Sequence, residues 1–211
     1  MRKISKNRVF YFVISLLLIV CISITGIKAY KEFFGKNDNE PTEPKKLDTI
    51  DMYGYSLDEY DSELYKTYFN ELKDVLNKDD INYEDYAKVA TKLFITDLYT
   101  LSTKISSSDI GGLEFVYPDF VSNFKMNAGD TMYNHIKNNL DGTREQKLPT
   151  VSNVTVSSVT PITYTYGEKD FEAYRTVANW EYEEDLGYEN SGEFTLVKHD
   201  NKLYVVEKTG E

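Results

Sequence analysis

The side chains that could bind a metal ion are few and widely spaced in this sequence. The two histidines, His135 and His199, have no second histidine four residues away, so the pattern of zinc-binding helices is missing. The single cysteine, Cys21, lies in an apolar run and offers neither histidine a thiolate partner. The spacing of aspartate and asparagine that is typical of calcium-binding loops is also missing. The sequence therefore predicts no metal site.

Motifs for covalent or nucleotide chemistry are missing as well. The chain has no Gly-x-Ser-x-Gly turn for a nucleophilic serine. Gly111 and Gly112 are not followed by Lys and Ser or Thr, so this loop is not a phosphate-binding loop. We expect the two glycines, which follow Asp109 and Ile110, to form a turn that lies close under the sheet. We predict a protein that is not an enzyme and needs no cofactor.

Asp97 is the single residue that most suggests a site. Helical spacing places it about 20° from Ala90 and about 40° from Leu93, inside an apolar stripe. A buried carboxylate must be paired or protonated, and two interpretations are open. Asp97 could serve a pocket, or it could accept hydrogen bonds from a tyrosine or from amides of the 106–112 loop; we favour the second, structural role. The aromatic residues available to line such a pocket are Tyr164, Tyr166, Tyr174, Trp180 and Tyr182.

Three helical segments are predicted ahead of the strands. The first covers residues 56–77, with Ser56 as the N-cap and Glu59 completing a capping box. The second covers residues 82–102 and carries Asp97 on its apolar face. The third covers residues 118–139 and is predicted to break near Gly129, where Asp130 could cap a second piece.

Four strands are predicted after residue 149, where period-two patterning and β-branched residues replace helical spacing. In the first strand one parity contains Val154, Val156, Ile162, Tyr164 and Tyr166, and Pro161 is expected to kink or split the strand. The second covers residues 172–183.

Residues 193–199 and 202–208 form the last predicted hairpin, with a tight turn at Asp200 and Asn201 that sets Leu196 opposite Val205 and Val197 opposite Tyr204. We therefore predict an α+β fold, with helices packed on a curved, cone-like antiparallel four-stranded sheet.

The charge of the chain is unevenly distributed. The net charge is −11, yet residues 1–31 hold six basic residues and no acid, which leaves −17 for the rest. An acidic body of this kind repels phosphate backbones, so we predict no nucleic-acid partner.

Residues 9–27 contain no charged side chain and are long enough to span a bilayer as a helix. A cleaved signal peptide is the alternative, but its apolar region is usually about 7–15 residues long, and no small-x-small cleavage site follows. The basic residues before the span place the N-terminus in the cytoplasm. We expect a basic leader at 1–8, a transmembrane anchor at 9–30, an acidic and proline-containing stalk at 31–51, and an extracytoplasmic domain at 52–211.

This order of elements resembles the bitopic core proteins of type IV secretion and conjugation systems. The resemblance covers nearly the whole chain as an order of elements, and segments 94–101 and 109–112 look family-like. It implies an exported domain similar in fold to nuclear transport factor 2, and a non-enzymatic assembly subunit of an envelope complex. No functional residue is carried over from the family.

Three functional hypotheses follow. In the first, the protein is held in the cell membrane and contacts other envelope proteins or further copies of itself. In the second, the exported domain binds a small apolar ligand or a peptide between sheet and helices. The third is a pocket enzyme that uses Asp97 and a tyrosine. The 18 tyrosines fit either an interaction surface or ordinary core packing, because exposure decides between the two.

Overall fold

The computed structural model describes residues 44–210, and the predicted leader, the anchor and most of the stalk lie outside this range. Within it, no helix is both long enough and apolar enough to cross a membrane. In chain order the elements are strands β1 (Lys46–Ile50) and β2 (Tyr55–Asp58), helices α1 (Glu63–Leu76), α2 (Tyr83–Tyr99) and α3 (Val121–Asp130), and strands β3 (Val151–Tyr166), β4 (Lys169–Tyr182), β5 (Ser191–His199) and β6 (Lys202–Thr209). The fold is α+β, as predicted.

The first two strands form an antiparallel hairpin that sequence patterning does not predict. β1 lies inside the segment treated as a stalk and pairs with β2, so the folded part of the chain begins before residue 52. The predicted helix start at Ser56 is wrong, because Ser56 belongs to β2 and is buried. Helix α1 begins after Ser62 instead, whose hydroxyl accepts a hydrogen bond from the Tyr65 N–H at 3.1 Å.

The other two helices follow the prediction more closely at their starts than at their ends. The Asn82 side chain caps α2 by accepting hydrogen bonds from the N–H groups of Glu84 and Asp85, as Asn does at this position. A 3₁₀ turn at Leu101–Thr103 follows the end of α2. The third segment forms a 3₁₀ turn at Pro118–Phe120 and then α3. Asp130 is the last residue of α3 and caps no second helix.

The four long strands form one antiparallel sheet in the order β3-β4-β5-β6. The predicted pairs Leu196 with Val205 and Val197 with Tyr204 are confirmed. Asp200 and Asn201 both have positive φ, at 48° and 66°, which is the backbone of the tight hairpin turn. β3 continues through Pro161 without a break, and its position at the sheet edge is where proline is tolerated.

A β-bulge divides β3 into two halves that face opposite ways. Directly opposed residues of antiparallel strands share a face of the sheet. Before the bulge, Val154 is opposite Trp180 and Val156 is opposite Ala178, whereas after it Ser158 is opposite Val177. The extra residue between Val156 and Ser158 therefore moves every later even-numbered residue of β3 to the other face.

The two sheet faces have different roles. The face that carries Trp180 and Thr176, called the helix face below, packs against α1 and α2. There the Thr91 and Thr176 hydroxyls are 2.9 Å apart, and the rings of Phe94 and Phe194 meet edge to face with centroids 5.8 Å apart. The opposite, outer face carries Phe171, Ala173 and Arg175 of β4 together with their partners in β3 and β5. Burial of apolar side chains on the helix face supplies the main stabilisation of the domain.

Candidate functional site

Asp97 and the predicted loop residues do come together, at the C-terminal part of α2. The Gly112 N–H donates a hydrogen bond to Asp97 Oδ2 at 2.6 Å, and Asp97 Oδ1 forms an ion pair with the Lys104 ammonium. Asp109 lies in the same loop and accepts from the Ile105 N–H at 2.9 Å. A Cβ at Gly111 would lie 2.2 Å from the Asp97 carbonyl oxygen, so only glycine allows this approach. Both carboxylate oxygens of Asp97 are thus engaged within the protein.

Lys104 is the charged partner in this arrangement. Its side chain is only 10% exposed, and that of Asp97 is 20% exposed. Burial by itself lowers the pKa of Lys104, but the adjacent Asp97 carboxylate outweighs burial and holds that pKa above its ordinary value. Lys104 therefore stays charged near neutral pH, which suits a structural ion pair and not a proton-transfer group.

A buried tyrosine and an arginine brace the same loop. The Tyr133 hydroxyl donates to the Leu98 carbonyl at 2.7 Å and accepts from the Gly111 N–H at 3.1 Å. The Arg144 guanidinium donates to the Lys104 and Ser102 carbonyls, each at 2.7 Å. We call Asp97, Lys104, Gly111, Gly112 and Tyr133 the loop clamp. Its contacts are those that the structural interpretation of Asp97 requires.

The aromatic residues predicted to line a pocket with Asp97 are not brought together. Trp180 is 2% exposed, its ring centroid lies 4.7 Å from that of Tyr99, and its Nε1–H donates to the Tyr182 hydroxyl at 2.9 Å. Tyr182 in turn donates to the Glu189 carbonyl at 2.8 Å. Tyr164 and Tyr166 lie on the outer face, because the bulge in β3 reverses the parity that patterning assigns to them. The structure therefore does not gather these residues around Asp97, and the pocket interpretation of Asp97 gains no support from them.

A second group of ionisable side chains surrounds β2. The Ser56 N–H and hydroxyl both donate to the Glu114 carboxylate, and the Asp58 N–H donates to Asp61 Oδ2 at 2.6 Å. Burial raises the pKa of Asp61 to about 7, and the Asp97 carboxylate adds to this rise. Burial also raises the pKa of Glu114. Among residues 44–210, no group of three or more histidine, cysteine, aspartate or glutamate side chains is arranged to hold a metal ion.

The outer face carries a shallow aromatic groove, which is the candidate functional site. It encloses only about 10 Å³, and it is lined by Tyr117, Phe120, Tyr164, Tyr166, Phe171, Val197 and Val206. The Phe120 and Tyr166 rings meet edge to face with centroids 5.3 Å apart, and the Tyr117 and Phe171 rings do so at 6.4 Å. Such pairs are favourable beyond their buried area, so the groove walls support one another.

The pairing of the chain with the edge of β6 positions two of these rings. Val116 bridges to Val205 in parallel, and the Tyr117 N–H donates to the Val205 carbonyl at 3.2 Å. The 3₁₀ turn that follows places Phe120 beside Tyr166 at the far end of β3. The groove therefore joins residues about fifty positions apart in the sequence.

Within residues 44–210, some tyrosine hydroxyls of the domain are hydrogen-bonded to protein groups, and those at the groove are not. Seven tyrosines within the helix and sheet layers have hydrogen-bonded hydroxyls: Tyr55, Tyr68, Tyr86, Tyr99, Tyr133, Tyr174 and Tyr182. At the groove, the hydroxyls of Tyr117, Tyr164, Tyr166 and the adjoining Tyr204 have no hydrogen-bond partner within the described part of the chain. Four hydroxyl groups are thus available to a molecule that enters the groove.

Sequence patterning identifies Tyr164 and Tyr166 as site candidates but misses Tyr117, Phe120 and Phe171. The pair Ser157 and Ser158, inside a run of β-branched residues, is the one local hint of the bulge that exposes them. Nothing local predicts that residues 116–120 cross the edge of β6. No protein-family model, no curated protein and no solved structure matches the chain.

Proposed function

We propose that this protein is a membrane-anchored, extracytoplasmic subunit that docks partner proteins in a bacterial envelope complex, such as a conjugation or secretion apparatus. In this proposal the N-terminal apolar run at residues 9–27 is a transmembrane helix that confines the domain to the membrane surface. The curved sheet with its helices then serves as a cone-like scaffold similar to nuclear transport factor 2. The observation that carries the proposal is the aromatic groove on the outer face of the sheet.

The dimensions of the groove favour a protein segment over a small molecule. Small-molecule pockets usually enclose about 300–1,000 Å³ and bury most of their ligand. The groove encloses only about 10 Å³ and is open to solvent, with Tyr166 49% exposed. Tyrosine-rich exposed surfaces are also typical of protein interfaces. A shallow aromatic surface of this kind suits contact with another protein better than enclosure of a small ligand.

The space between sheet and helices offers less support for a bound apolar ligand. The large side chains that meet there are almost fully buried, among them Phe69, Leu93, Phe94, Trp180 and Phe194. Aromatic contacts such as that between Trp180 and Phe194 fill the layer. A ligand would have to displace these side chains from their present contacts.

Site-specific photocrosslinking tests the docking function. A photoreactive amino acid replaces Tyr166 in the full-length protein, and replaces Tyr60 in a control, since Tyr60 is 52% exposed and lies outside the groove. Irradiation of native membranes should give a discrete adduct from position 166 and none from position 60. Monomer alone at both positions would overturn the proposal.

A further inference from the structure

We infer that the aromatic groove binds an extended segment of a partner protein that contains proline and carries basic residues. This inference rests on the proposed docking function and specifies its partner. The outer face offers an aromatic lining, tyrosine hydroxyls and an acidic surround.

The shape and composition of the groove suit a polyproline II segment. Grooves lined by aromatic rings recognise this conformation because proline rings pack flat against them and the segment is already extended before it binds. Tyr117, Tyr164, Tyr166, Phe120 and Phe171 provide such a lining. Strand addition at the edge of β3 would use backbone groups, whereas a polyproline II segment would use the aromatic side chains that line this groove.

The unpaired hydroxyls match the backbone of such a segment. A polyproline II helix has no internal hydrogen bonds, so its carbonyl groups need donors from the solvent or from a receptor. Tyr117, Tyr164, Tyr166 and Tyr204 surround the groove with hydroxyls that donate to no group within residues 44–210. These hydroxyls can donate to partner carbonyls without breaking a bond inside the protein.

The charge around the groove favours a basic partner. Asp119 lies between Tyr117 and Phe120 in the 3₁₀ turn and is exposed. Glu207 is exposed and stands opposite Thr195 in the β5–β6 ladder, and Thr195 stands opposite Arg175 of the outer face. Asp200, in the turn between β5 and β6, lies 3.5 Å from His199 Nε2. Asp119 and Glu207 form no ion pair among residues 44–210.

The basic residues of this region only partly offset those acids. Arg175 is ion-paired with Glu193 at 3.2 Å, and the Lys202 ammonium lies over the rings of Tyr55 and Tyr204 at 4.1 and 5.1 Å. Lys169 is exposed and stands opposite Tyr166 in the β3–β4 ladder. The His199 ring packs against Tyr117 with centroids 5.6 Å apart and faces Asp200. The two acids without an ion pair in the described part of the chain, Asp119 and Glu207, therefore outnumber Lys169, the exposed base without one.

Peptide binding to the purified full-length protein tests the inference. The probe is a fluorescein-labelled peptide, Lys-Pro-Pro-Leu-Pro-Pro-Leu-Pro-Lys, followed by fluorescence anisotropy. One comparison peptide has glutamate in place of both lysines, and another has glycine in place of every proline. We expect the lysine and proline peptide to bind about tenfold more tightly than either comparison peptide, and its affinity to fall as salt is added.

Variants then locate the binding. Tyr166→Ser removes a groove ring and should lower the affinity for the labelled peptide about tenfold. Tyr166→Phe removes only the hydroxyl and should lower that affinity about threefold. Glu207→Gln removes an acid beside the groove and should lower it severalfold. Tyr60→Ser is the control and should leave affinity unchanged. Both substituted side chains, at positions 166 and 207, are exposed, and unchanged fluorescence of the buried Trp180 confirms that each variant is folded.

The outcomes separate this inference from the docking function. Equal binding of the lysine and glutamate peptides, loss of the proline dependence, or an affinity unchanged by Tyr166→Ser overturns the inference. If a photocrosslinked adduct still forms at position 166, the docking function stands with a partner of other chemistry. If neither peptide nor adduct is found, both proposals fail.

Discussion

Removal of the charge on Asp97 should destabilise the domain without changing its shape. In Asp97→Asn the side-chain oxygen can still accept from the Gly112 N–H, which now lies 2.6 Å from Asp97 Oδ2. What the substitution removes is the negative charge that neutralises Lys104, whose side chain is 10% exposed. The ammonium group would then remain buried without a compensating charge.

The structure sets the expected size of this effect. Removal of one partner from a buried ion pair costs about 3–5 kcal/mol of unfolding free energy. Asp97 is 20% exposed and asparagine keeps one hydrogen bond, so we expect a loss at the lower end, about 3 kcal/mol. The double variant Asp97→Asn with Lys104→Met removes both charges. It should be more stable than Asp97→Asn alone, because neutral groups can replace a buried pair at little cost.

Urea denaturation of the full-length protein measures these differences. Trp180 is the only tryptophan and is 2% exposed, so its fluorescence reports unfolding of the core. Asp74→Asn, at an exposed position on α1, is the matched control and should change stability by less than about 0.5 kcal/mol. A loss below about 1 kcal/mol for Asp97→Asn, or a double variant no more stable than the single one, would refute the reasoning.

Two further predictions concern the loop clamp and the acids near β2. Gly111→Ala should destabilise the protein by more than about 2 kcal/mol, because the new Cβ would lie 2.2 Å from the Asp97 carbonyl oxygen. Gly129→Ala in α3 is the control: nothing lies within 4 Å of its Cβ, so it should stabilise the protein by about 0.5–1 kcal/mol. Thermal melts of the two variants compare them directly. The raised pKa of Asp61, about 7, means that the folded state binds more protons than the unfolded state between about pH 4 and 7, so the contribution of Asp61 to stability falls as pH rises through this window. Asp61→Asn keeps an acceptor for the Asp58 N–H but cannot ionise. The change in unfolding free energy that it causes should therefore be about 2 kcal/mol more favourable at pH 8 than at pH 4. If urea titrations show the same pH dependence for the variant and the original protein, the raised pKa of Asp61 is contradicted.

Local signals account for the parts of the fold that the sequence predicts correctly. Asn82 caps α2 with its own side chain, and the turn at Asp200 and Asn201 fixes the register of β5 and β6. Each of these signals acts within a few residues of the chain. The period-two pattern likewise predicts four strands, because alternation reflects burial of one face.

Long-range contacts account for the errors. Ser56 and Glu59 have the spacing of a capping box, yet Ser56 is held by Glu114, 58 residues away, and lies in a strand. No helical pattern at residues 56–60 can show that contact. The partner of Asp97 is also set by the tertiary fold. The position of Asp97 on an apolar helix face predicts that it needs a partner, but it does not predict that the partner is Lys104.

The bulge in β3 explains how one strand contributes to both the core and the groove. Val154 and Val156 face the helices, and further along the same strand Tyr164 and Tyr166, of the same parity, face outward. A regular strand would place all four on one face, so either the core would receive two more tyrosines or the outer face would expose two valines. The insertion of one residue resolves this conflict. On the helix face the Tyr68 hydroxyl bonds to the backbone of Val154, whereas beyond the bulge the Tyr164 and Tyr166 hydroxyls bond to no group within residues 44–210. The same amphipathic residue type thus serves packing on one face and recognition on the other, and the position of the bulge sets where one role ends and the other begins.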